Sequence, residues 1–459
     1  MQQPQAQPAE KFSEKFTDHA VNGVNLTEQT ADFVAAHRTE DVRQLALKAK
    51  RVEGLDLPLA LDQIAGWQIA RKKLPQWASC EGIIYPPHIS MEQCSSQFTA
   101  QYKSEIAQTL LTPAVTVRAR VSDSAESDTQ ETKTGVRVTD SPESDTLVAR
   151  SSMVDLTGGF GVDFSYLARG FSQATYLERQ RHLCDLAEHN MAALGLDQAR
   201  IVCGDGVEYL RQMDPVDFIY LDPARRDEHG SRTYAIEDCT PNVLELRDLL
   251  LAKSQCTLVK LSPMLDWRKA VADFDGTVRE VHIVATGNEC KELLLVLGQQ
   301  VHEEPSAPRV FCVNDNQRID YDSAAYTQGL RIGGKPLPEA KNYLYEPNAS
   351  IMKAGCFDLV EERFGVTQVG PSSHLFVSAT PVADFPGRGF AIEAIGGMNK
   401  KDIKRLLNGT KQANIAVRNF PLTAPQLRKK LKLADGGPVY LFGTTMQGCD
   451  HVLLRTSKI

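Results

Sequence analysis

Between Leu147 and Gly298 seven short apolar runs follow one another, MVDLT, ATYLE, ARIVCG, DFIYLD, TLVKLS, EVHIVAT and ELLLVLG, and segments with helical spacing separate the earlier ones. A run without polar alternation is buried on both faces, and strands that take turns with helices are joined by crossovers. The stretch therefore predicts an α/β fold on a parallel, doubly wound sheet. The last two runs flank Gly287-Asn288, a hairpin signal, so one strand near the sheet edge is expected to run antiparallel to the others.

At 459 residues the chain has room for about three folded units. From Leu26 to about Ile106 apolar residues recur at helical spacing, among them Phe33, Val34, Val42, Leu45, Leu61, Ile64, Phe98, Tyr102 and Ile106. Thr39 and Asp41 stand where a helix starting at Val42 needs its cap, and Pro75 and Pro86-Pro87 read as turns. The segment VSDSAESDTQETKTGVRVTDSPESD holds almost no large apolar group to offset the entropy of ordering, which makes it a mobile acidic linker or loop. After Val301 come shorter mixed elements, and from Gly389 onward AIEAIG, KKDIKRLL, NIAVRNF, APQLRKKLKL and PVYLFGT describe a small α+β sandwich. The expected division is 1–120 helical, 121–146 linker, 147–300 the α/β domain, and two small α+β regions, 301–388 and 389–459.

Composition excludes several classes. With 42% hydrophobic and 24% charged residues the chain is neither collagenous nor disordered throughout. The net charge of 51 − 58 = −7 carries no whole-chain mark of nucleic-acid binding. The tail from Gly389, however, has 12 basic and 4 acidic residues, a balance of +8 against −15 for the rest, so any basic surface is local. The ten cysteines show neither C-x-x-C nor zinc-type spacing; no metal site is expected, and the thiols read as reduced. The polar start MQQPQAQPAEKF is unlike a signal peptide, and no apolar run nears the ~20 residues of a membrane helix, so the expected compartment is the cytoplasm, with no membrane partner.

The chemistry is concentrated in Met153-Val-Asp-Leu-Thr-Gly-Gly-Phe-Gly-Val-Asp163, an apolar strand that runs through Asp155 into a turn with Gly158, Gly159 and Gly161 and then into a helix. Such a turn lets backbone N–H groups approach a ligand where a Cβ would intrude. A dinucleotide site needs G-x-G-x-x-G, and Phe164 stands in the third glycine's place, which weakens a dehydrogenase reading. The D-x-x-x-G-x-G spacing instead resembles the first motif of class I S-adenosylmethionine (SAM) dependent methyltransferases.

Three further strands end in acids. Glu178 closes ATYLE about 20 residues past the turn, where a carboxylate can accept ribose hydroxyls. Asp205 follows ARIVCG, placed to receive an adenine amino group, and DFIYLD delivers Asp222-Pro223-Ala224-Arg225. All would lie at the carboxyl ends of neighbouring strands, the usual ligand crevice of an open α/β sheet. The last tetrad resembles the D/N-P-P-x element of methyltransferases acting on planar amino groups, which implies that Asp222 and Pro223 meet the methyl acceptor. Ala224 replaces the second proline, and related tetrads serve other acceptor atoms, so the target atom stays open. Arg225, Arg226 and Lys260 are either contacts to a nucleic-acid phosphate or ordinary surface cations.

Together with HIVATGNECKELLLVLG, these motifs look like a Rossmann-like, seven-stranded class I methyltransferase domain, whose seventh strand is antiparallel. The resemblance implies SAM as cofactor, bound by Asp155, Gly159, Gly161, Glu178 and Asp205. More narrowly, EQCSSQFTAQYK, YEPNASIMKAG and GFAIEAIGGMNKKDIKRLL resemble a bacterial methyltransferase group that ends in a ferredoxin-like region, here 301–388, and a THUMP-like domain, here 389–459. That group implies an RNA substrate, tRNA or rRNA, methylated on a base. Independently, Lys400, Lys401, Lys404 and Arg405 share one helical stretch and Arg428, Lys429, Lys430 and Lys432 another, as a phosphate-binding surface requires. A methyltransferase for protein or small molecules, or an RNA-binding protein with a degenerate central domain, would carry the same outer modules.

Overall fold

A computed structural model of the chain describes residues 26–48, 52–112, 151–225, 236–299, 307–326, 337–448 and 451–459. The acidic segment 121–146, the polar start and Arg226 lie outside the described residues. The chain divides into two compact units, Met1–Lys260 with Leu297–Gln299, and Leu261–Val296 with Gln300–Ile459.

The first unit begins with six helices, α1 Glu28–His37, α2 Val42–Lys48, α3 Leu57–Lys73, α4 Pro75–Ser79, α5 His88–Gln93 and α6 Gln97–Leu111. Their starts follow from local chemistry. Side-chain oxygens of Thr27, Asp56 and Ser96 accept backbone N–H groups at the heads of α1, α3 and α6, and Asp41 does the same for Gln44 N at 2.8 Å at the head of α2.

Strands and helices then alternate as expected: β1 Ser152–Asp155, α7 Val162–Leu167, β2 Gln173–Glu178, α8 Arg181–Ala193, β3 Ala199–Cys203, α9 Gly206–Gln212, β4 Val216–Leu221, α10 Val243–Lys253 and β5 Ser254–Leu261. The strand order is β5-β4-β1-β2-β3, all parallel. The order reverses between β1 and β4, which opens a crevice at their carboxyl ends. The leader helices lie against this layer. Trp77, fully buried, donates from Nε1 to Ser165 Oγ at 3.1 Å, and Asn190 exchanges two 2.9 Å hydrogen bonds with the backbone of Ile84.

In the second unit, β6 Val278–Thr286 and β7 Glu289–Gly298 are joined by Gly287-Asn288 with φ of 58° and 62°. Two left-handed residues are what a tight hairpin between right-twisted strands requires, so the expected reversal is present. The next two strands continue the hairpin: β8 Arg309–Asn314 is parallel to β6, and β9 Gln317–Asp322 is antiparallel to β8.

A separate seven-stranded sheet follows, formed by Thr367–Gln368 and by β10 Tyr343–Pro347, β11 Phe376–Ser378, β12 Gly387–Gly397, β13 Asn414–Arg418, β14 Val439–Thr445 and β15 His451–Lys458. Alternation along its strands feeds two cores. Leu441 and Leu453 join the cluster of Leu406 and Leu427, while Phe442 and Leu454 join that of Leu344 and Phe390. The helices Lys400–Leu407 and Ala424–Leu431 bury Leu406 in one case and Leu427 and Leu431 in the other, and leave Lys400, Lys401, Lys404, Lys429 and Lys430 exposed. Among the described residues no helix is long and apolar enough to cross a membrane.

Candidate active site

The glycine turn is shaped by the strand beside it. Gly158 N donates to Leu177 O at 2.7 Å, and a Cβ on Gly158 would lie 2.1 Å from the Tyr176 ring. Gly159 and Gly161 take φ of 56° and 84°, and Gly161 begins α7. The Tyr176 hydroxyl donates to Gly159 O. At the head of α9 a Cβ on Gly206 would stand 2.2 Å from Leu156 O, so this loop too runs against bare backbone. Phe164 is buried with its ring edge-on to Tyr176 at 5.5 Å and fills the space that a dinucleotide turn gives to a glycine.

Glu178 reaches back to this turn. Its Oε2 accepts from Gly159 N at 3.0 Å and its Oε1 from Gln180 N at 2.9 Å. Asp155 is 1% exposed and accepts from Thr157 N at 2.9 Å. Burial pushes its carboxyl well above the ordinary range; the Thr157 N–H opposes this, and the charges of Asp163, Asp222 and Glu178 add to it. Asp205 caps α9, with Oδ1 accepting from Val207 N at 2.8 Å and Glu208 N at 3.0 Å, and its Oδ2 is 3.7 Å from Arg179. These residues and Asp222-Pro223 line one cleft of about 740 Å³, to which the leader contributes Gln93 and Ser95.

Parallel register sets the other end of the cleft. Leu221 pairs with Val259, so Asp222, just past the end of β4, and Lys260, near the end of β5, come side by side. Lys260 Nζ is 2.6 Å from Asp222 Oδ2 and 3.7 Å from Asp163 Oδ2. Lys260, on sequence either a phosphate contact or an ordinary surface cation, is bound to two carboxylates. Asp222 N donates to Thr157 Oγ1 at 2.7 Å, which ties the ends of β1 and β4 together.

Asp163 is the centre of this region. Its Oδ2 accepts from Ser95 Oγ and from the Tyr220 hydroxyl, each at 2.8 Å, and its Oδ1 lies 3.2 Å from Lys103 Nζ. Burial works against its charge, but the ammonium groups of Lys103 and Lys260, with the hydrogen bonds from Tyr220 and Ser95, outweigh burial and hold its carboxyl below the usual range. Sequence reasoning assigned no role to Asp163, Lys103, Ser95 or Thr157. One signal was present: Lys103 falls on the same stripe of α6 as Ala100, Ile106 and Ala107, all buried, and a charge on a buried stripe requires a partner.

A family model described as a ferredoxin-like domain matches residues 343–386, and one described as THUMP domain-like matches 387–458. The crystal structure of a "putative methyltransferase" from Porphyromonas gingivalis W83 is similar over 94% of this chain and 97% of its own, at 30% identity and a TM-score of 0.75. The chain belongs to this methyltransferase family. The chain thus carries the class I fold and the ferredoxin-like and THUMP-like modules that the sequence motifs implied. An O-methyltransferase from Bacillus cereus, solved in complex with SAH, is alike at 10% identity over 58% of this chain and 100% of its own, with a TM-score of 0.31. An rRNA methylase from Streptococcus thermophilus is alike at 14% identity over 33% of this chain and 89% of its own, with a TM-score of 0.26. Comparison with curated proteins returns no match.

Proposed function

We propose that this methyltransferase transfers a methyl group from SAM to a base in structured RNA, tRNA or rRNA, in the cytoplasm. The observation that carries the reading is the convergence of the glycine turn, Glu178 and Asp222 on one cleft at the strand-order reversal. The residues fit an adenosyl cofactor: the cleft is in the size range of nucleotide-sized ligands, the turn presents bare backbone, and Glu178 offers charged acceptors beside it. In this reading Asp155, Gly159, Gly161, Glu178 and Asp205 hold the cofactor, with Glu178 accepting from its ribose and Asp205 from its adenine. When bound, SAM supplies a sulfonium-activated methyl group.

Asp222 and Pro223 hold the acceptor. Since the electrophile is already activated, the task of Asp222 is to orient the nucleophile, and correct placement alone is worth several powers of ten in rate. Residues 147–300 do the chemistry in this division of labour, while 301–388 and 389–459 bring the RNA. The exposed lysines of Lys400–Leu407 and Ala424–Leu431 suit phosphate backbones, whose condensed counterions they would release.

The test is transfer of labelled methyl from SAM into RNA taken from cells that lack the protein, followed by mass spectrometry of the nucleosides. One labelled methylated nucleoside is expected. RNA that takes up no label, where protein or small molecules from the same cells do, would overturn the substrate assignment.

A further inference from the structure

We propose that Lys260 is a positioning residue of methyl transfer, through which the helical leader holds Asp222 in its working orientation. The inference rests on the methyltransferase reading above and adds to it a residue outside the Asp-Pro tetrad.

Four charges of alternating sign run from the leader to the acceptor end of the cleft. Lys103 Nζ lies 3.2 Å from Asp163 Oδ1, Asp163 Oδ2 lies 3.7 Å from Lys260 Nζ, and Lys260 Nζ lies 2.6 Å from Asp222 Oδ2. Exposure rises along the row, with side chains 0% exposed at Lys103, 10% at Asp163, 17% at Lys260 and 40% at Asp222. Ser95, also from the leader, joins three of the four. It donates to Asp163 Oδ2 at 2.8 Å and accepts from Lys260 at 3.3 Å and Lys103 at 3.4 Å.

A surface lysine samples many rotamers, but Lys260 is held between two carboxylates and a hydroxyl, so it presents its ammonium at a fixed point. That point fixes Asp222 in turn. Its Oδ2 is occupied by Lys260, whereas its Oδ1 has no hydrogen-bond partner among the described residues and remains an acceptor for the incoming nucleophile. The net charge of the row is zero, so Lys260 orients Asp222 without making the site cationic. The leader is then part of the acceptor site.

The test uses the full-length protein with Lys260→Met and Lys260→Arg. At saturating SAM the initial rate of label transfer should fall about 100-fold in K260M, the scale of a misplacement of about an ångström. K260R, which keeps the charge, should recover most of the rate. SAM affinity by calorimetry should stay within about twofold in both, which also reports that the variants fold. In crystals of the cofactor-free variants, the Asp222 carboxylate should leave its wild-type position in K260M and keep it in K260R. Wild-type rates in K260M, or an unmoved Asp222, would overturn the inference. Extract from cells lacking the protein, separated into RNA, protein and small molecules, serves as the acceptor. Label in a fraction other than RNA overturns the RNA assignment while the comparison of Lys260 variants still decides their role. No label in any fraction from the wild type overturns both.

Discussion

Glu178 and Asp222 stand at two ends of one cleft and are held in opposite ways. The Glu178 carboxylate accepts two backbone amides, Gly159 N and Gln180 N, and Asp205 likewise accepts the amides of Val207 and Glu208. Asp222 is gripped by the side chain of Lys260, 38 residues later, and Lys260 touches Ser95, 165 residues away from it. Amides belong to the backbone and survive most substitutions. Side chains do not. The proposed cofactor end is therefore held by backbone amides, while the proposed acceptor end is held by a row of side chains distant in sequence.

The hardest test of this contrast is Asp163→Ala. It removes Asp163 from its buried ion pair with Lys103, and removing one partner of a buried pair costs about 3–5 kcal/mol, to be read from urea denaturation. A variant as stable as the wild type would show that the row does not brace the leader. The sign of the pH dependence follows from the depressed carboxyl of Asp163. Its stabilisation is present above the ordinary value of about 4 and is lost as pH falls through its lower folded-state value, so wild type and variant should converge in strong acid.

At the cofactor end, Glu178→Ala removes a charged acceptor worth about 1.5–3 kcal/mol, so SAM affinity should fall roughly 10- to 150-fold by titration calorimetry. Unchanged affinity would remove Glu178 from the site. Asp205→Asn sharpens the comparison, because Asn keeps an oxygen for the cap of α9 while turning its other atom into a donor. Stability should hold, and SAM affinity should drop by about 1 kcal/mol, roughly fivefold; equal affinity would leave Asp205 as a cap alone.

The smallest effect is expected from Asp155→Asn. With its carboxyl raised above the ordinary value, Asp155 contributes stability that is full below that value and lost as pH rises through the folded-state one. Asn does not titrate there, so the stability of the variant relative to wild type should increase with pH. A difference that is flat with pH would contradict the buried-acid description.

How much could be read in advance divides along the same line. The hairpin at Gly287-Asn288, the cap at Asp41 and the turn at Gly158 to Gly161 each depend on neighbours within a few residues, and each was legible. Lys260 stayed open between a phosphate contact and an ordinary surface cation, since nothing near KLSP announces that its strand is in register with Leu221. Lys103 and Ser95 were seen only as part of a helical leader, because their partner Asp163 lies beyond the acidic segment.

The sequence by itself determined the alternation of strands and helices, the glycines at positive φ and the acids at strand ends, since those follow from periodicity and from the backbone freedom of single residues. Only the tertiary structure decided which charges meet. Coulomb contacts of 2.6–3.7 Å depend on strand register and on the docking of α6, and those are fixed by burying apolar surface across the whole unit rather than by any local pattern.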